Sequence, residues 1–453
     1  EAGIRRDDRI VLLVPEGPAL AVSLLGAMSA AIAIPVAADS TSAELTAALD
    51  DLRPAGVIAS PKLPDEVANS LDRHGVAVFE LDAADPTRGC GRAAPAPGLF
   101  SWPEPGAVAA VSQTSGTTGR PKRIPRMHGN FVESGRRHRD RFGLRQEDRA
   151  LAVAPLTLSL GRTALMHGIA AGSSLIFPAS PAIGDVWAAI ETERPTWMHA
   201  SAGFLELFAR WLRECPATAP TSLRFVRVTA AAIAPEVCEE LAARLDARIL
   251  PGYSTSETGL IATAMPPPAP YKPGSTGQPV QEIRIVDGGD DAPPNVEGEI
   301  WVRGPQVLRG YFDDPELDAA AFTPDGWLRM GDVGYLDDDG FLFLTGRLKE
   351  LINRGGAKIS PAEVDAVLLA HPAVREGAAF AVPDDRLGED IVAAVVVEER
   401  AAPTPRELRA WMLDRLAPHK APRRIWFVAD LPRTTSGKVR RGELSRRWAA
   451  EQA

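Results

Sequence analysis

The sequence predicts an α/β fold: a large N-terminal region of two layered α/β subdomains plus a small β-barrel, followed by a small α+β C-terminal domain. Three observations carry this reading. Apolar runs alternate with helix-spaced segments through the first two-thirds of the chain, the pattern of layered α/β structure with parallel sheets. From about Met265 proline and glycine punctuate short strands, as in a small β-barrel or sandwich. At 453 residues the chain is too long for one compact core, so two to four domains are expected.

The elements follow in order. Residues 10–14 and 31–36 read as strands, with a helix between them. Residues 108–113, 151–154, 174–177, 197–200, 225–229 and 248–250 read as further strands, and 185–193 and 235–245 have helical spacing. Residues 283–286, 299–302 and 340–344 are the short strands of the β-rich part. After Arg347, residues 361–369 and 404–416 read as helices and 378–382 and 391–398 as strands. The expected boundaries are 1–348, with α/β subdomains about 1–264 and a β-rich subdomain about 265–348, and then 349–453.

Composition excludes several classes. Hydrophobic content of 45% with 24% charged residues excludes a disordered chain or a coiled coil. A net charge of −9 argues against a general nucleic-acid binder. Residues 401–453 nevertheless carry a net +7, read either as a solvated basic face or as a contact for an anionic partner such as a nucleotide-bearing thiol or an acidic carrier protein. Cys90, Cys215 and Cys238 are too few and scattered for a disulfide framework, which points to a reducing, cytoplasmic setting. The 20 uncharged residues 19–38 are long enough to span a bilayer, but Pro35 interrupts them and Ser23 and Ser29 break their apolarity. A buried helix running into a buried strand is expected instead of a membrane span. The chain shows no signal-peptide pattern and starts without Met just before an apolar strand, so its true N-terminus is expected to be missing. Only seven of the 50 basic residues are lysine, which makes each lysine worth placing.

The sharpest segment is Ser112-Gln-Thr-Ser-Gly-Thr-Thr-Gly-Arg-Pro-Lys122, after the apolar run 108–111. Gly116 and Gly119 allow backbone amides to turn toward a phosphate. Thr114, Ser115, Thr117 and Thr118 add hydroxyls, and Lys122 adds charge. The Walker spacing fails, and composition alone also admits a polar surface turn. Four further segments follow in order: Gly252-Tyr-Ser-Thr-Ser-Glu257, Gly331-Asp332 with Gly346-Arg-Leu-Lys-Glu350, Gly355-Gly-Ala-Lys-Ile-Ser-Pro361, and Pro432-Arg-Thr-Thr-Ser-Gly-Lys438. Together the five resemble the ordered motifs of the adenylate-forming superfamily, which holds acyl-CoA synthetases, peptide-synthetase adenylation domains and luciferases. Tyr271-Lys-Pro-Gly-Ser-Thr-Gly-Gln-Pro279 and Leu351-Ile-Asn-Arg-Gly-Gly356 look most like the oxalyl-CoA and short-acid CoA synthetases.

The resemblance implies ATP-dependent activation of a carboxylate as acyl-adenylate, release of pyrophosphate, then transfer to a thiol. Both steps concentrate negative charge, so pre-placed donors and cations should dominate. It implies that 114–119 hold the β- and γ-phosphates, with Thr118 in the catalytic set. Lys122 resembles the loop lysine, for which a structural role is equally open. Gly252, Tyr253 and Ser254 would flank the base, Tyr253 stacking on adenine. Ala230, Ala231 and Ala232 would line the adenine and acyl pocket. Glu257 would bind Mg²⁺, with the Ser256 hydroxyl near a phosphate. Asp332 would accept the ribose hydroxyls beside Arg347. Lys438 would bridge the substrate carboxylate and the α-phosphate, as a compact mobile charge can. Lys349 falls at the hinge about which a mobile C-terminal domain turns. Gly355 and Gly356 would line a pantetheine tunnel, with Arg354 or Lys358 meeting CoA phosphates.

The chain also departs from the family. In Pro155-Leu-Thr-Leu-Ser-Leu-Gly161, Thr157 and Leu158 stand where acyl-CoA synthetases carry a gating aromatic and histidine. No Asp lies between 155 and 170, which disfavours an α-amino acid. Arg162 could pair with a second substrate carboxylate or make a supporting salt bridge. Ala171-Gly172 lacks the arginine of malonate-type relatives, and Ser201-Ala-Gly203 replaces V-P-T, which suggests a roomier pocket. Arg123 follows Lys122 where glycine is usual. The expectation is an acyl-CoA synthetase acting on a small carboxylic acid with ATP, Mg²⁺ and coenzyme A. The alternative is a stand-alone adenylation enzyme that loads the phosphopantetheine arm of a carrier protein. Intact Glu257, Asp332 and Lys438 argue against a non-catalytic scaffold.

Overall fold

The computed structural model describes residues 3–38, 40–59, 65–73, 75–81, 102–114, 122–215, 221–398, 401–433 and 438–452. Among these residues four sheets organise the chain. The first has six strands in the order Ala77–Glu80, Gly56–Ala59, Arg9–Leu13, Ile32–Pro35, Val108–Thr114, Lys122–Met127, all parallel but the last. Val11 and Leu12 at its centre are fully buried, as parallel strands covered on both faces require. The uncharged stretch resolves into helix Pro18–Ala30 and strand Ile32–Pro35. Ser23 satisfies its hydroxyl on the Ala19 carbonyl at 2.8 Å. No described helix is long and apolar enough to cross a membrane.

The second sheet runs Gln278–Pro279, Gly259–Thr263, Arg248–Thr255, Phe225–Thr229, Trp197–Ser201, Arg149–Leu151, Ser174–Ile176. Its last five strands are parallel. Helix Pro235–Leu245 starts on a proline, whose missing N–H costs nothing in the first turn. The third sheet is antiparallel, ordered Asp290–Asp291, Glu282–Asp287, Gly298–Arg303, Leu328–Leu336, Leu342–Arg347. Among the described residues its hydrogen-bonded path is open, so the expected small β-barrel is here a five-stranded sheet.

The last sheet pairs Gly388–Val397 with Val374–Asp384, Arg424–Phe427 and the hairpin Ile352–Arg354/Ala357–Ile359. Helix Pro405–Leu413 opens on a Thr404/Glu407 capping box. The two core clusters here draw no residue from before Ile352. Much of the basic tail is neutralised locally, by Arg423–Asp384, Arg433–Glu376 and Arg441–Asp365 pairs at 2.7, 2.6 and 2.7 Å.

A polar island interrupts the apolar interior. His138 and His167 stack at 3.5 Å, His199 meets the Thr229 hydroxyl at 3.0 Å, and Arg227 lies over the Phe142 ring at 4.8 Å. Burial holds all three imidazoles well below their usual pKa, so they are neutral at pH 7.

Candidate functional site

The site gathers where parallel strands end. Thr229 and Ser201 pair in register at the C-terminal ends of adjacent strands, the edge at which open α/β sheets bind ligands. Ala230 follows with φ 77°, a left-handed turn that a small side chain tolerates best, and Ala231 and Ala232 are exposed beyond it. Ser201 caps the next helix, accepting from Phe204 N at 3.2 Å. A Cβ on Gly203 would meet nothing within 4 Å, so this position faces open space. Leu158 is half-buried at the N-cap of helix Ser159–Ala171.

The best-formed part is a three-residue anchor. Asp332 and Arg347 face each other in register and pair at 2.6 Å. The Tyr253 hydroxyl, from the second sheet, donates to the other oxygen of the Asp332 carboxylate. Tyr253 is 6% exposed and Asp332 5%. Burial first, and the Asp332 charge next, push the Tyr253 pKa well above normal, so it stays a donor. Burial opposes the Arg347 charge, but Asp332 and weaker acidic neighbours hold its pKa above normal. Tyr253, expected to stack on adenine, belongs to the buried cluster that also holds Ile261, Ile300 and Leu328. Gly252 and Ser254 flank it on the same strand.

Glu257 sits in the turn between Arg248–Thr255 and Gly259–Thr263. Ser256 beside it bonds Ser159 at 2.8 Å. Arg126 is buried, donates to the Gln306 carbonyl at 2.8 Å, and has its pKa lowered to about 10 by burial, with Glu257 opposing. Lys122 lies over the Tyr311 ring at 5.1 Å. Thr114 ends strand Val108–Thr114. Ser115, Gly116, Thr117, Thr118 and Gly119 lie outside the described residues.

Arg162 is placed away from the substrate-pairing role raised for it. It is 1% exposed, and its guanidinium donates to the carbonyls of Leu156 and Thr157 at 2.9 and 2.7 Å and to the Ser112 hydroxyl. Burial lowers its pKa to about 10.

The C-terminal region contributes Lys438. It keeps solvent contact, yet surrounding protein lowers its ammonium pKa. Burial leads, Arg347 adds to the shift, and Asp332, Glu350 and Glu257 oppose it. The charges of Arg347, Asp332, Glu350 and Glu257 thus all bear on Lys438. Residues 434–437 lie outside the described set. Arg354 is committed elsewhere, to Asp390 at 2.9 Å and to the carbonyls of His419 and Ala421 at 2.7 and 3.2 Å. That leaves it poorly placed to meet CoA phosphates. Gly355 and Gly356, with φ 61° and 91°, form the two-residue turn of a hairpin, which needs positive φ at both positions. Lys358 and Lys349 are exposed, Lys349 in a 3-10 turn spanning Leu348–Glu350.

Sequence reasoning missed Glu16, Ser159 and Arg126. Glu16 accepts from the backbone N–H of Leu156 and Thr157 at 2.8 and 3.2 Å. No local pattern ties it to a loop so far along the chain. Arg126 reads as one more residue of strand Lys122–Met127; only the fold brings its charge near Glu257.

Two patterns of known families match: AMP-binding enzyme over residues 1–312, and AMP-binding enzyme C-terminal domain over 363–438. An oxalate–CoA ligase of Arabidopsis thaliana is 35% identical, over 97% of this chain and 88% of that protein. ATP-bound MatB from Rhodopseudomonas palustris superposes with TM-score 0.90 at 25% identity, covering 100% of this chain and 91% of that one. Apo MatB, with the same identity and coverage, gives only 0.77. An o-succinylbenzoate coenzyme A synthetase (MenE) from Bacillus subtilis, in complex with ATP and magnesium, gives 0.85 at 28% identity over 97% and 90%.

The chain belongs to the AMP-binding enzyme family. Its activity is ATP-dependent ligation of an acid to coenzyme A through an acyl-adenylate, the AMP-forming route of an acyl-CoA synthetase. Loading of a carrier protein is not favoured, because the named relatives are CoA ligases.

Proposed function

We propose that the enzyme activates a small, short carboxylic acid at the cleft between residues 1–348 and 349–453, with Lys349 at the hinge. One arrangement carries this: Asp332 is held between Tyr253 and Arg347 in the large region, and the charges of Asp332, Arg347 and Glu257 bear on Lys438 of the C-terminal region. A cation there meets the charge that builds on the α-phosphate as the acid oxygen attacks it and the bond to pyrophosphate breaks.

The other roles follow from donor chemistry. Each Asp332 oxygen already accepts one bond, from Tyr253 or Arg347, and retains a lone pair for a ribose hydroxyl. Residues 114–119 and Lys122 would hold the outer phosphates, with Gly252, Ser254 and Ser256 alongside. Magnesium suits Glu257. No described group of three or more His, Cys, Asp or Glu is arranged to hold a metal alone, and Mg²⁺ commonly takes one or two carboxylates with phosphate oxygens. When bound, it would neutralise phosphate charge. Leu158, Ser201, Gly203, Ala230, Ala231 and Ala232 would line the acid and adenine pockets. After pyrophosphate leaves, the thiol of coenzyme A attacks the acyl carbon and AMP departs. Lys358 and the Gly355–Gly356 turn are the exposed candidates on the thiol side. A reducing, cytoplasmic setting fits the free, buried Cys238.

The test is a screen of oxalate, longer dicarboxylic, aryl, fatty and amino acids with ATP and Mg²⁺, offering either CoA or a phosphopantetheinylated carrier protein. The reading predicts pyrophosphate and AMP released in step with acyl-CoA for a short acid. Acyl transfer to the carrier without acyl-CoA would overturn it.

A further inference from the structure

We propose that Arg162 is a positioning residue that locks the acid-side loop 155–158 to the two segments that face the nucleotide phosphates. The inference rests on the reading above that the Glu257 turn and the loop after Ser112 serve ATP.

The observation is how completely one buried guanidinium is used. One nitrogen, Nη1, donates to the Leu156 and Thr157 carbonyls at 2.9 and 2.7 Å. The other, Nη2, donates to the Ser112 hydroxyl and lies 3.4 Å from that of Ser159. Ser112 and Ser159 are themselves 3.4 Å apart, and Ser159 continues to Ser256 at 2.8 Å. Ser112 stands on the strand that leads into the glycine-rich segment, and Ser256 precedes Glu257. One side chain therefore joins three stretches that are distant in sequence.

The loop is held from its other edge as well. Glu16 accepts the N–H groups of Leu156 and Thr157 at 2.8 and 3.2 Å and the Thr157 hydroxyl at 3.0 Å. Two successive peptide units are thus gripped, N–H groups by a carboxylate and carbonyls by a guanidinium. The Glu16 charge also supports the Arg162 charge against its burial. Gly161 lets the helix start close against this loop: a Cβ there would fall 2.2 Å from the Pro155 carbonyl oxygen.

A fully buried arginine is expensive unless its donors are paired. Here the donors are paired with main-chain carbonyls and hydroxyls rather than with a carboxylate, so what the cation secures is the geometry of three chain segments. Planarity matters, because the two nitrogens reach different targets at once. Misplacing reacting groups by about 1 Å can cost about a hundredfold in rate.

The experiment uses the full enzyme and four variants: Arg162→Lys, Arg162→Met, Ser159→Ala and Glu257→Gln. Acid-dependent ATP–pyrophosphate exchange reports adenylation, thioesterification of supplied acyl-adenylate reports the second step, and thermal midpoints report folding. Arg162→Lys is expected to lower the kcat of exchange by about 10- to 100-fold, with the KM for ATP within about threefold and a thermal midpoint near wild type. Ser159→Ala is expected to give a smaller loss in the same parameter, about 3- to 10-fold. Both should keep most of the thioesterification of supplied adenylate. If Arg162→Met does not fold, the other two carry the test. Wild-type exchange in both Arg162→Lys and Ser159→Ala, or equal loss of both half-reactions, overturns the proposal while an inactive Glu257→Gln leaves the underlying reading standing. Full exchange by Glu257→Gln overturns that reading and the proposal with it.

Discussion

The two halves of the proposed nucleotide cleft are built differently. Asp332, Tyr253 and Arg347 come from paired strands of two sheets in the large region, and two of the three are almost fully buried. Their geometry exists before any ligand arrives. Lys438 belongs to a region with separate core clusters, and it keeps solvent contact. An ion pair between Arg210 and Glu398 at 2.5 Å joins the two regions. Both partners are more than a third exposed, and such pairs contribute about 0–1 kcal/mol. On the proposed assignment, the nucleotide anchor is set by sheet register within the large region, while the lysine comes from a region with its own core clusters.

The comparison can be broken at its rigid half first. Asp332→Ala removes the carboxylate that orders both neighbours, and should reduce kcat/KM for ATP in pyrophosphate exchange by about 100- to 1000-fold. Tyr253→Phe removes one donor and should cost about tenfold in the same assay. An equal, small effect of both would mean that the anchor is not preformed.

The rigid half also predicts a pH response. The His138, His167 and His199 pKa values are depressed by burial from 6.5. Unfolded imidazoles bind protons near that pH and the folded ones do not. The unfolded state therefore takes up more protons as pH falls, and stability present above pH 6.5 is lost below it, by about 1.4 kcal/mol per pH unit for each histidine. Urea midpoints between pH 7.5 and 5.5 check the sign. A midpoint that rises on acidification contradicts the buried, neutral island.

Smaller effects sharpen the contrast. Gly203→Val should shift the acid profile toward shorter acids while leaving ATP KM within about twofold, because the added side chain enters open space; an unchanged acid profile would remove Gly203 from the pocket. Arg210→Glu should slow adenylation only about two- to threefold, and Arg210→Glu combined with Glu398→Arg should restore it. Failure of the swap to restore the rate would show that the contact is not what delivers Lys438.

Much of this was legible in sequence, for reasons that can be located. Buried parallel strands such as Phe225–Thr229 show as apolar runs because both faces are covered. Asp332 and Arg347 carry short motifs because backbone register sets their meeting. The hidden parts are those decided by long-range packing. The role of Arg162 depends on Ser112, and the role of Glu16 on Leu156 and Thr157. Arg354 reads as a free cation until Asp390 is seen beside it. Gly355 and Gly356, expected to line a pantetheine tunnel, also form the two-residue turn of a hairpin with positive φ at both positions. Short punctuated strands signal antiparallel pairing without saying whether the sheet closes, and among the described residues no closed barrel is found.

The delivery of Lys438 also has a pH signature. Its lowered pKa means that the ammonium loses its proton at a lower pH than the 10.5 of an unperturbed lysine, so adenylation should decline early on the alkaline side. The most direct measurement is the pair of half-reactions in Lys438→Ala. Acid-dependent pyrophosphate release should vanish, while supplied acyl-adenylate is still converted to acyl-CoA. Comparable loss of both half-reactions would contradict the division between a preformed nucleotide anchor and a delivered catalytic lysine.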